Sequence, residues 1–302
     1  MKTFIKNNTT YILHPQWITG FTDAEGCFSV IIEIKDLLSW KVKTSFEINL
    51  HLKDVKVLHL INSYFGVGSV YTRPNLNRCV YRVSKNEDLL NVIIPHFSKY
   101  PLLTQKKGDF LLWSEVIKIK STKIHLMSNG FRSILSYYAA INKGTSPKVA
   151  KYYPNIKAVD RPFIELPYSL DPNWMTGFVD GDGGFIINIR ENKKVEFRFH
   201  VAQHSRDYYL LCLFKDFFNS GNVYLRSNLS TPRCDFVVQT FKDISSKVIS
   251  HFNEYPLKTS KKLDYLDFYK ALLIVENRKS LSNEDLDIIR KLKAGMNKGR
   301  IH

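Results

Sequence analysis

Four acidic residues form two matched pairs in this chain of 302 residues. Asp23 and Glu25 stand near the end of the stretch WITGFTDAEGCF, and Asp180 and Asp182 near the end of the similar stretch WMTGFVDGDGGF. The last acid of each pair falls at the C-terminal end of a predicted helix, where the helix dipole disfavours a carboxylate by roughly 0.3–1 kcal/mol. If the two helix ends meet, the clustered carboxylates require cations, and an all-oxygen ligand set selects hard ions such as Mg²⁺.

Two short helices must position these acids. In the first stretch, apolar and small residues at helical spacing predict a helix that ends near Gly26. Gly20 and Gly177 fall in the middle of the two helices, where glycine costs roughly 1 kcal/mol relative to alanine. A single motif of this kind is ordinarily a helix packed inside its own domain, with its acids in solvent. Two copies in register favour instead two helices in close contact at the glycines.

The chain as a whole is a tandem repeat. The segment HFSKYPLLTQKKGDF at 96–110 returns as HFNEYPLKTSKKLDY at 251–265, and AAINKG at 139–144 returns as AGMNKG at 294–299. The period is too long for a solenoid and predicts two copies of one domain, at 1–144 and 171–302. The intervening segment 145–170 contains four prolines, which predict an extended, semi-rigid linker.

Both copies show the same order of predicted elements, αββαββα followed by a C-terminal helix, which is an α+β architecture. The polar faces of the strands are rich in Arg, Lys, Asn and His, and we expect few acids there. Such side chains contact phosphates and base edges, and a two-stranded ribbon fits the major groove of DNA. The residues expected to contact DNA are Ser29, Lys35, Lys43, Arg73, Arg78, Arg82, Asn188, Arg190, Arg198, His200, Arg226 and Arg233.

The charge balance indicates a polyanionic partner. Lys and Arg total 44 against 28 Asp and Glu, giving a net charge of +16 and a pI near 9.5. No apolar run approaches the length of a bilayer span, and the start MKTFIKNNTT lacks the apolar core of a secretory signal. We therefore expect nucleic acid, and not a membrane, as the partner. The four cysteines form no C-x-x-C pair, which argues against zinc ligation and a disulfide framework.

The stretches ITGFTDAEG at 18–26 and MTGFVDGDG at 175–183 resemble the signature of LAGLIDADG homing endonucleases. The resemblance extends over nearly the whole chain and is to single-chain, two-motif members encoded in group I introns of fungal mitochondria. It implies two pseudo-symmetric repeats, with the motif helices packed at the centre and the sheets forming a DNA-binding saddle. It also implies that Glu25 and Asp182, with the backbone carbonyls of Ala24 and Gly181, bind two or three divalent ions. Mg²⁺ is the expected ion, and Ca²⁺ or Mn²⁺ its expected substitutes.

The resemblance extends to further residues of the predicted site. Lys106 and Lys261 stand where the family places a lysine near its metals, and their neighbours Lys107 and Lys262 are nearly as plausible. Gln203 resembles a strand glutamine that orders active-site water, although strand parity puts it on the apolar face unless the strand bends. Leu50 stands at the matching position of the first copy. We expect Asp23 and Asp180 to form structural hydrogen bonds and not to bind metal.

The implied activity is site-specific, Mg²⁺-dependent double-strand DNA cleavage by a monomer located in mitochondria. One phosphodiester is hydrolysed in each strand of a long, asymmetric target, which leaves short 3′ overhangs. The alternative is an RNA maturase that assists group I intron splicing, with intron RNA as its partner. Because the last acid is present in both motifs, the sequence favours cleavage.

Overall fold

The computed structural model describes residues 13–36, 39–226 and 232–300. The N-terminal stretch MKTFIKNNTT therefore lies outside the described residues. The first repeat begins with a helix, two strands, a helix and two more strands, and ends in helices. Its elements are α1 (Pro15–Glu25), β1 (Gly26–Asp36), β2 (Ser39–His51), α2 (Val55–Phe65), β3 (Ser69–Arg73), β4 (Arg78–Val83), α3 (Asn86–Asp88), α4 (Ile94–Lys99), α5 (Lys106–Ser121) and α6 (Ser128–Ala140).

A further helix, α7 (Pro147–Tyr152), precedes the second repeat, which follows the same order. Its elements are α8 (Pro172–Asp182), β5 (Gly183–Ile189), β6 (Val195–His204), α9 (Tyr208–Phe218), β7 (Asn222–Leu225), β8 (Arg233–Val238), α10 (Phe241–Asp243), α11 (Ser250–Glu254), α12 (Lys261–Glu276) and α13 (Asn283–Ala294). The predicted order of elements is therefore confirmed in both repeats. Among the described residues, no helix has the length and apolar character needed to cross a bilayer.

Each repeat contains one four-stranded antiparallel sheet, ordered β1-β2-β4-β3 in the first and β5-β6-β8-β7 in the second. One face of each sheet packs against helices over an aromatic core. In the first core, Phe28 lies 5.3 Å from Phe46 and 5.2 Å from Trp113 between ring centroids. In the second, Phe185 stands in the same relation to Phe199 (5.4 Å). The other face of each sheet carries the polar residues of the alternating pattern.

Each motif helix runs directly into a strand. Pro15 and Pro172 occupy the first turn of α1 and α8, where the missing N–H of proline is not needed. Asp171 caps α8 by accepting hydrogen bonds from the next turn. At the other end, Gly26 and Gly183 adopt extended backbone and begin β1 and β5 without a loop. The last acid of each motif is therefore held at a junction between two rigid elements.

The linker is folded and packed, so the prediction of an extended segment is wrong over the helix Pro147–Tyr152. Ser146 caps this helix, and Val149 is buried in the first core. Further along, Arg161 forms an ion pair with Asp109 (2.8 Å), and Leu170 is buried in the second core. The first proline starts a helix instead of extending the chain. The domain boundaries at 144 and 171 stay a prediction.

The motif helices α1 and α8 pack against each other through their backbones. A Cβ atom added to Gly20 would lie 2.0 Å from the carbonyl oxygen of Trp174, and one added to Gly177 would lie 2.0 Å from that of Trp17. Only glycine permits this approach at either position. The predicted close contact of two helices at matched glycines is confirmed.

We predict that Gly20→Ala and Gly177→Ala each destabilise the protein by about 1–3 kcal/mol, because the new methyl group must push a backbone carbonyl aside. Gly295→Ala is the matched control: an added Cβ there meets its nearest atom at 3.5 Å, and the backbone φ is −77°. Urea denaturation measures all three free energies of unfolding. Equal stability of the three variants would contradict the close packing of α1 and α8.

Candidate active site

Glu25 and Asp182 lie side by side where α1 and α8 end. A Cβ on Gly181 would lie 2.3 Å from the Cβ of Ala24 and 3.3 Å from a carboxylate oxygen of Glu25. Burial raises the pKa of both carboxyl groups, and the negative charge of Asp182 raises that of Glu25 further. Two partly dehydrated, mutually repelling carboxylates make this a place where cations bind favourably.

Asp23 and Asp180 are fully occupied by hydrogen bonds, so their expected structural role is confirmed. Each is 4% exposed. Asp23 accepts hydrogen bonds from Leu103 N–H, from the N–H and hydroxyl of Thr104, and from the indole N–H of Trp174 in the other motif (2.9 Å). Asp180 accepts the equivalent set of hydrogen bonds, including one from the indole N–H of Trp17 (2.9 Å). These reciprocal bonds tie the two motif helices together.

Lys106 and Lys261 reach the C-terminal ends of the motif helices. Lys106 Nζ donates to the carbonyl oxygens of Thr22 (2.9 Å), Asp23 (2.8 Å) and Ala24 (3.3 Å). Lys261 Nζ donates in the same way to the carbonyls of Val179 (2.8 Å), Gly181 (2.7 Å) and Gly183. Burial lowers the pKa of both ammonium groups, and nearby carboxylates oppose that shift.

Three carbonyl bonds use all three donors of each ammonium group. The lysines therefore act through fixed positive charge, which also offsets the negative end of each helix dipole. Of the two lysines considered in each copy, the first is the one directed at the motif helix. Lys262 is exposed to solvent.

Gln203 distinguishes the second half of the site from the first. It occupies an inward position at the end of β6, as strand parity predicts, and its Nε2 donates to Asp182 Oδ2 (2.6 Å). The strand need not bend, because β6 ends beneath the C-terminus of α8. Leu50 holds the equivalent place opposite Cys79, as Gln203 does opposite Cys234, so Glu25 lacks this partner.

A cleft of about 580 Å³ opens beside the two acids and reaches the outer face of the first sheet. Glu25, Gly181 and Lys261 line its inner end, and Asn49 and Arg78 of the sheet line its outer end. A ligand bound across the sheet would therefore have direct access to the carboxylates.

The residues present fit a hard divalent ion. The available ligands are two carboxylates and the carbonyl oxygens of Ala24 and Gly181, which form an all-oxygen set suited to Mg²⁺ or Ca²⁺. Gly181 keeps the space between the two helix ends open, since a side chain there would collide with Ala24. Within the described residues, no group of three or more His, Cys, Asp or Glu side chains forms a metal site, so backbone carbonyls or water must complete the coordination.

The residues predicted to contact DNA in the first repeat share the outer face of its sheet. Pairing of Ser29 with Ser45 and of Arg82 with Glu47 fixes the register of this face. The side chains from the prediction that lie on it are Ser29, Lys35, Lys43, Arg73, Arg78 and Arg82.

The second sheet presents Asn188, Arg198, His200 and Arg233 on its outer face. Arg190 lies just beyond β5 and Arg226 just beyond β7, so these two residues extend the face without being strand residues. The side chain of His200 packs over Gly184, whose added Cβ would approach it to 2.4 Å. Burial, and then Arg198, lowers the pKa of His200.

Acids are few on these outer faces, as expected: among the described residues, each face carries two. They form the pairs Lys43–Glu33 (2.5 Å), Arg82–Glu47 (2.9 Å), Arg190–Glu196 (2.8 Å) and Arg226–Asp235 (2.5 Å). No ion pair with another described residue is found for Arg73, Arg78, Arg198 or Arg233. The Nε atom of Arg198 is buried without a hydrogen-bond partner, so this arginine has an unused donor.

Sequence reasoning missed Asp54 and Asp207, which approach the site from the opposite repeat. Gln105 N–H donates to Asp207 Oδ1 (2.8 Å), and Ser260 N–H donates to Asp54 Oδ1 (2.6 Å). The signal was available: the segments HLKD at 51–54 and HSRD at 204–207 match in the two copies. What a linear pattern does not give is that each aspartate contacts the other copy.

Comparison with known families identifies the chain. The sequence model of the family described as LAGLIDADG endonuclease matches residues 18–117 and 175–272, one match in each repeat. The chain belongs to the LAGLIDADG endonuclease family. Both matches begin within the motif helices and extend past the lysines, so they include the whole candidate site.

Curated relatives of this LAGLIDADG protein come from fungi. Probable intron-encoded endonuclease 2 of Neurospora crassa is 35% identical over 296 residues, which covers 93% of this chain and 64% of the relative. Probable intron-encoded endonuclease 3 of the same fungus is 32% identical over 297 residues, covering 95% of this chain and 55% of the relative. The chain thus spans less than two thirds of the length of either relative.

Solved LAGLIDADG structures share the fold. The homing endonuclease I-GzeII in complex with its DNA target has a TM-score of 0.90 and 36% identity, covering 96% of this chain and 100% of that one. I-SmaMI bound to cleaved DNA gives the same TM-score and identity over 96% of this chain and 98% of that one. I-SmaMI bound to uncleaved DNA with calcium ions has a TM-score of 0.89 and 35% identity, covering 95% of this chain and 100% of that one.

We predict that Lys106→Met and Lys261→Met each lower the free energy of unfolding by about 1–3 kcal/mol, because three carbonyls lose a charged donor. Lys262→Met is the matched control, since this neighbouring side chain is exposed and should change stability by less than about 0.5 kcal/mol. Thermal and urea unfolding measure the difference. An equal loss for Lys261→Met and Lys262→Met would show that Lys261 does not hold the helix end.

Proposed function

We propose that this LAGLIDADG protein is a homing endonuclease that hydrolyses one phosphodiester in each strand of a specific DNA duplex and acts as a monomer. The observation that carries the proposal is the pairing of Glu25 and Asp182 at the meeting ends of α1 and α8. Each acid has its own partly buried lysine, and a basic sheet face extends from either side. Two such sets related by pseudo-symmetry suit the two strands of a duplex.

In this proposal Glu25 and Asp182, with the carbonyls of Ala24 and Gly181, hold divalent ions, and Mg²⁺ is the expected one. When bound, such ions supply Lewis acidity, which activates water for attack and stabilises charge on the departing oxygen. The presence of calcium ions in a solved I-SmaMI complex with uncleaved DNA supports a divalent ion.

The chain's own residues supply orientation and charge. The ammonium groups of Lys106 and Lys261, fixed by carbonyl bonds, present positive charge where the attacked phosphate gains negative charge. Gln203 orients the Asp182 carboxylate through its hydrogen bond (2.6 Å) and, in this proposal, also orders water beside it. The first half of the site has Leu50 in that place, so the two halves differ in chemistry.

The outer sheet faces are proposed to bind the DNA. Their arginines, lysines and asparagines suit phosphates and base edges, and an antiparallel ribbon fits the major groove. The four ion pairs on these faces hold side chains in place before binding, whereas Arg73, Arg78, Arg198 and Arg233 are available for new contacts. Because the two faces differ in sequence, the proposed target is long and asymmetric.

The names of the relatives support cleavage over the alternative of an RNA maturase. The two Neurospora proteins are named probable intron-encoded endonucleases, and the solved structures are of homing endonucleases with DNA. By likeness to these fungal intron-encoded proteins, we propose a mitochondrial location and products with short 3′ overhangs.

We predict that Glu25→Gln and Asp182→Asn each abolish double-strand cleavage while leaving the Kd for target DNA largely unchanged. Each substitution removes a charged metal ligand but keeps the shape of the side chain. Cleavage of a duplex library, with Mg²⁺ and with a chelator, identifies the target and the metal requirement together. Glu284→Gln is the control, since this acid is exposed on α13, away from both sheet faces and from the candidate site. Wild-type cutting by either active-site variant would refute the assignment.

We predict that Arg198→Ala relaxes preference at a few adjacent base pairs, at a cost of roughly 1–3 kcal/mol for a bidentate base contact. Lys151→Ala, at an exposed position of the linker helix α7, should weaken binding to all sequences alike if it touches DNA at all. Cleavage profiles over every single-base variant of the target measure the contrast. A uniform loss across all variants would assign Arg198 to phosphate binding.

A further inference from the structure

Two aspartates outside the motifs, one in each repeat, contact the residue that precedes the lysine of the other repeat. We call residues 103–106 and 258–261 the lysine segments, because each ends in the active-site lysine. Asp207 of the second repeat accepts the N–H of Gln105 (2.8 Å), the residue before Lys106. Asp54 of the first repeat accepts the N–H of Ser260 (2.6 Å) and its hydroxyl (3.1 Å), immediately before Lys261. The contact is therefore made twice, at equivalent positions of the two repeats.

Each lysine segment is held from two sides. On one side, Asp23 accepts the N–H groups of Leu103 and Thr104 within the first repeat, and Asp180 does the same for Lys258 and Thr259 in the second. On the other side, the aspartate of the opposite repeat takes the next N–H along the chain. Three successive N–H groups thus point at carboxylates, which fixes the backbone from which each lysine side chain extends.

The helix that follows strengthens this arrangement. Gln105 and Ser260 precede the first residues of α5 and α12, each 16 residues long, and neither side chain caps its helix. The first N–H groups of a helix lack partners within the helix, and a carboxylate there is favoured by the dipole. Asp54 and Asp207 supply that missing charged acceptor from the other repeat.

We propose that Asp54 and Asp207 are positioning residues: Asp207 sets the place of Lys106, and Asp54 that of Lys261. The inference rests on the proposed endonuclease function. It means that the lysine in each half of the active site is positioned by an aspartate of the opposite repeat. A displacement of about 1 Å at a reacting group can cost on the order of 100-fold in rate. Losing either aspartate should therefore slow one strand more than the other.

The test uses the full-length protein and its selected DNA target, with Asp54→Ala, Asp54→Asn, Asp207→Ala and Asp207→Asn. Single-turnover cleavage with each strand labelled separately gives two rates for every variant, and the Kd for DNA is measured without cleavage. Asp216→Ala is the matched control, because Asp216 is an exposed residue of α9, the helix that follows Asp207.

We expect Asp207→Ala to slow one strand by about 10- to 100-fold and Asp54→Ala to slow the opposite strand similarly, with Kd changed less than about threefold. Asn keeps a carbonyl acceptor at the same place and should recover most of the lost rate. Equal slowing of both strands, or Asn variants no faster than Ala variants, would overturn the proposal. If an Ala variant fails to fold, Asp54→Ser and Asp207→Ser replace it: they also remove the carboxylate, so each should show the same strand bias, and its absence would overturn the proposal.

A second measurement does not depend on catalysis. Acetylation of lysines by a small amine-reactive reagent such as acetic anhydride, followed by mass spectrometry, reports how firmly each lysine side chain is held. Lys106 should be modified faster in Asp207→Ala than in wild type, and Lys261 faster in Asp54→Ala, with exposed Lys262 as the internal reference. Unchanged modification rates would overturn the positioning role. If wild-type protein cuts no DNA, the proposed function fails, but this measurement still tests the contacts.

Discussion

Backbone contact between α1 and α8 is the constraint on which the rest of the molecule depends. The carbonyl oxygens of Trp17 and Trp174 occupy the space that a side chain at Gly177 or Gly20 would fill. The two helices therefore approach more closely than helices separated by side chains can. That approach brings their C-terminal ends together, and with them Glu25 and Asp182.

Such a centre is costly in free energy. Asp23 and Asp180 are buried and Lys106 and Lys261 are partly buried, so desolvation raises the pKa of the two aspartates and lowers that of the two lysines. Buried charges are tolerated only when hydrogen bonds satisfy them, and here each carboxylate and ammonium is surrounded by partners. The stability that offsets this cost comes from the aromatic core on either side, built around Phe28 and Phe185.

Much of the fold could be predicted because it depends on local periodicity. Helical spacing located α1, and alternation located β1 and β2 with the outward position of Lys43. The prediction of an extended linker was wrong because proline breaks a helix in its interior but is favoured in the first turn, where Pro147 lies. Alternation also places Glu33 and Glu47 on the outer face, but only the pairing of the strands shows which basic residue each one contacts.

The candidate site was harder to predict wherever contacts cross between repeats. Lys106 and Lys107 are adjacent in sequence, and only the rotation of α5 relative to α1 decides which one reaches the helix end. Strand parity places Gln203 on the inner face of the sheet, and only the tertiary structure shows that this end of the strand lies under Asp182. The same holds for Asp54 and Asp207, whose partners lie far away along the chain.

The paired tryptophan bonds have a consequence for how the two halves recognise each other. Trp17 donates to Asp180 and Trp174 donates to Asp23, so each repeat offers one donor and one acceptor of the same kind. A contact of this form is self-complementary, like the isologous interface of a twofold dimer. It does not distinguish a second repeat from another copy of the first. The covalent connection makes that choice by keeping one partner at high effective concentration. Because this contact does not depend on surface differences, the two sheets are free to diverge in sequence and, under the proposed function, to read unrelated half-sites.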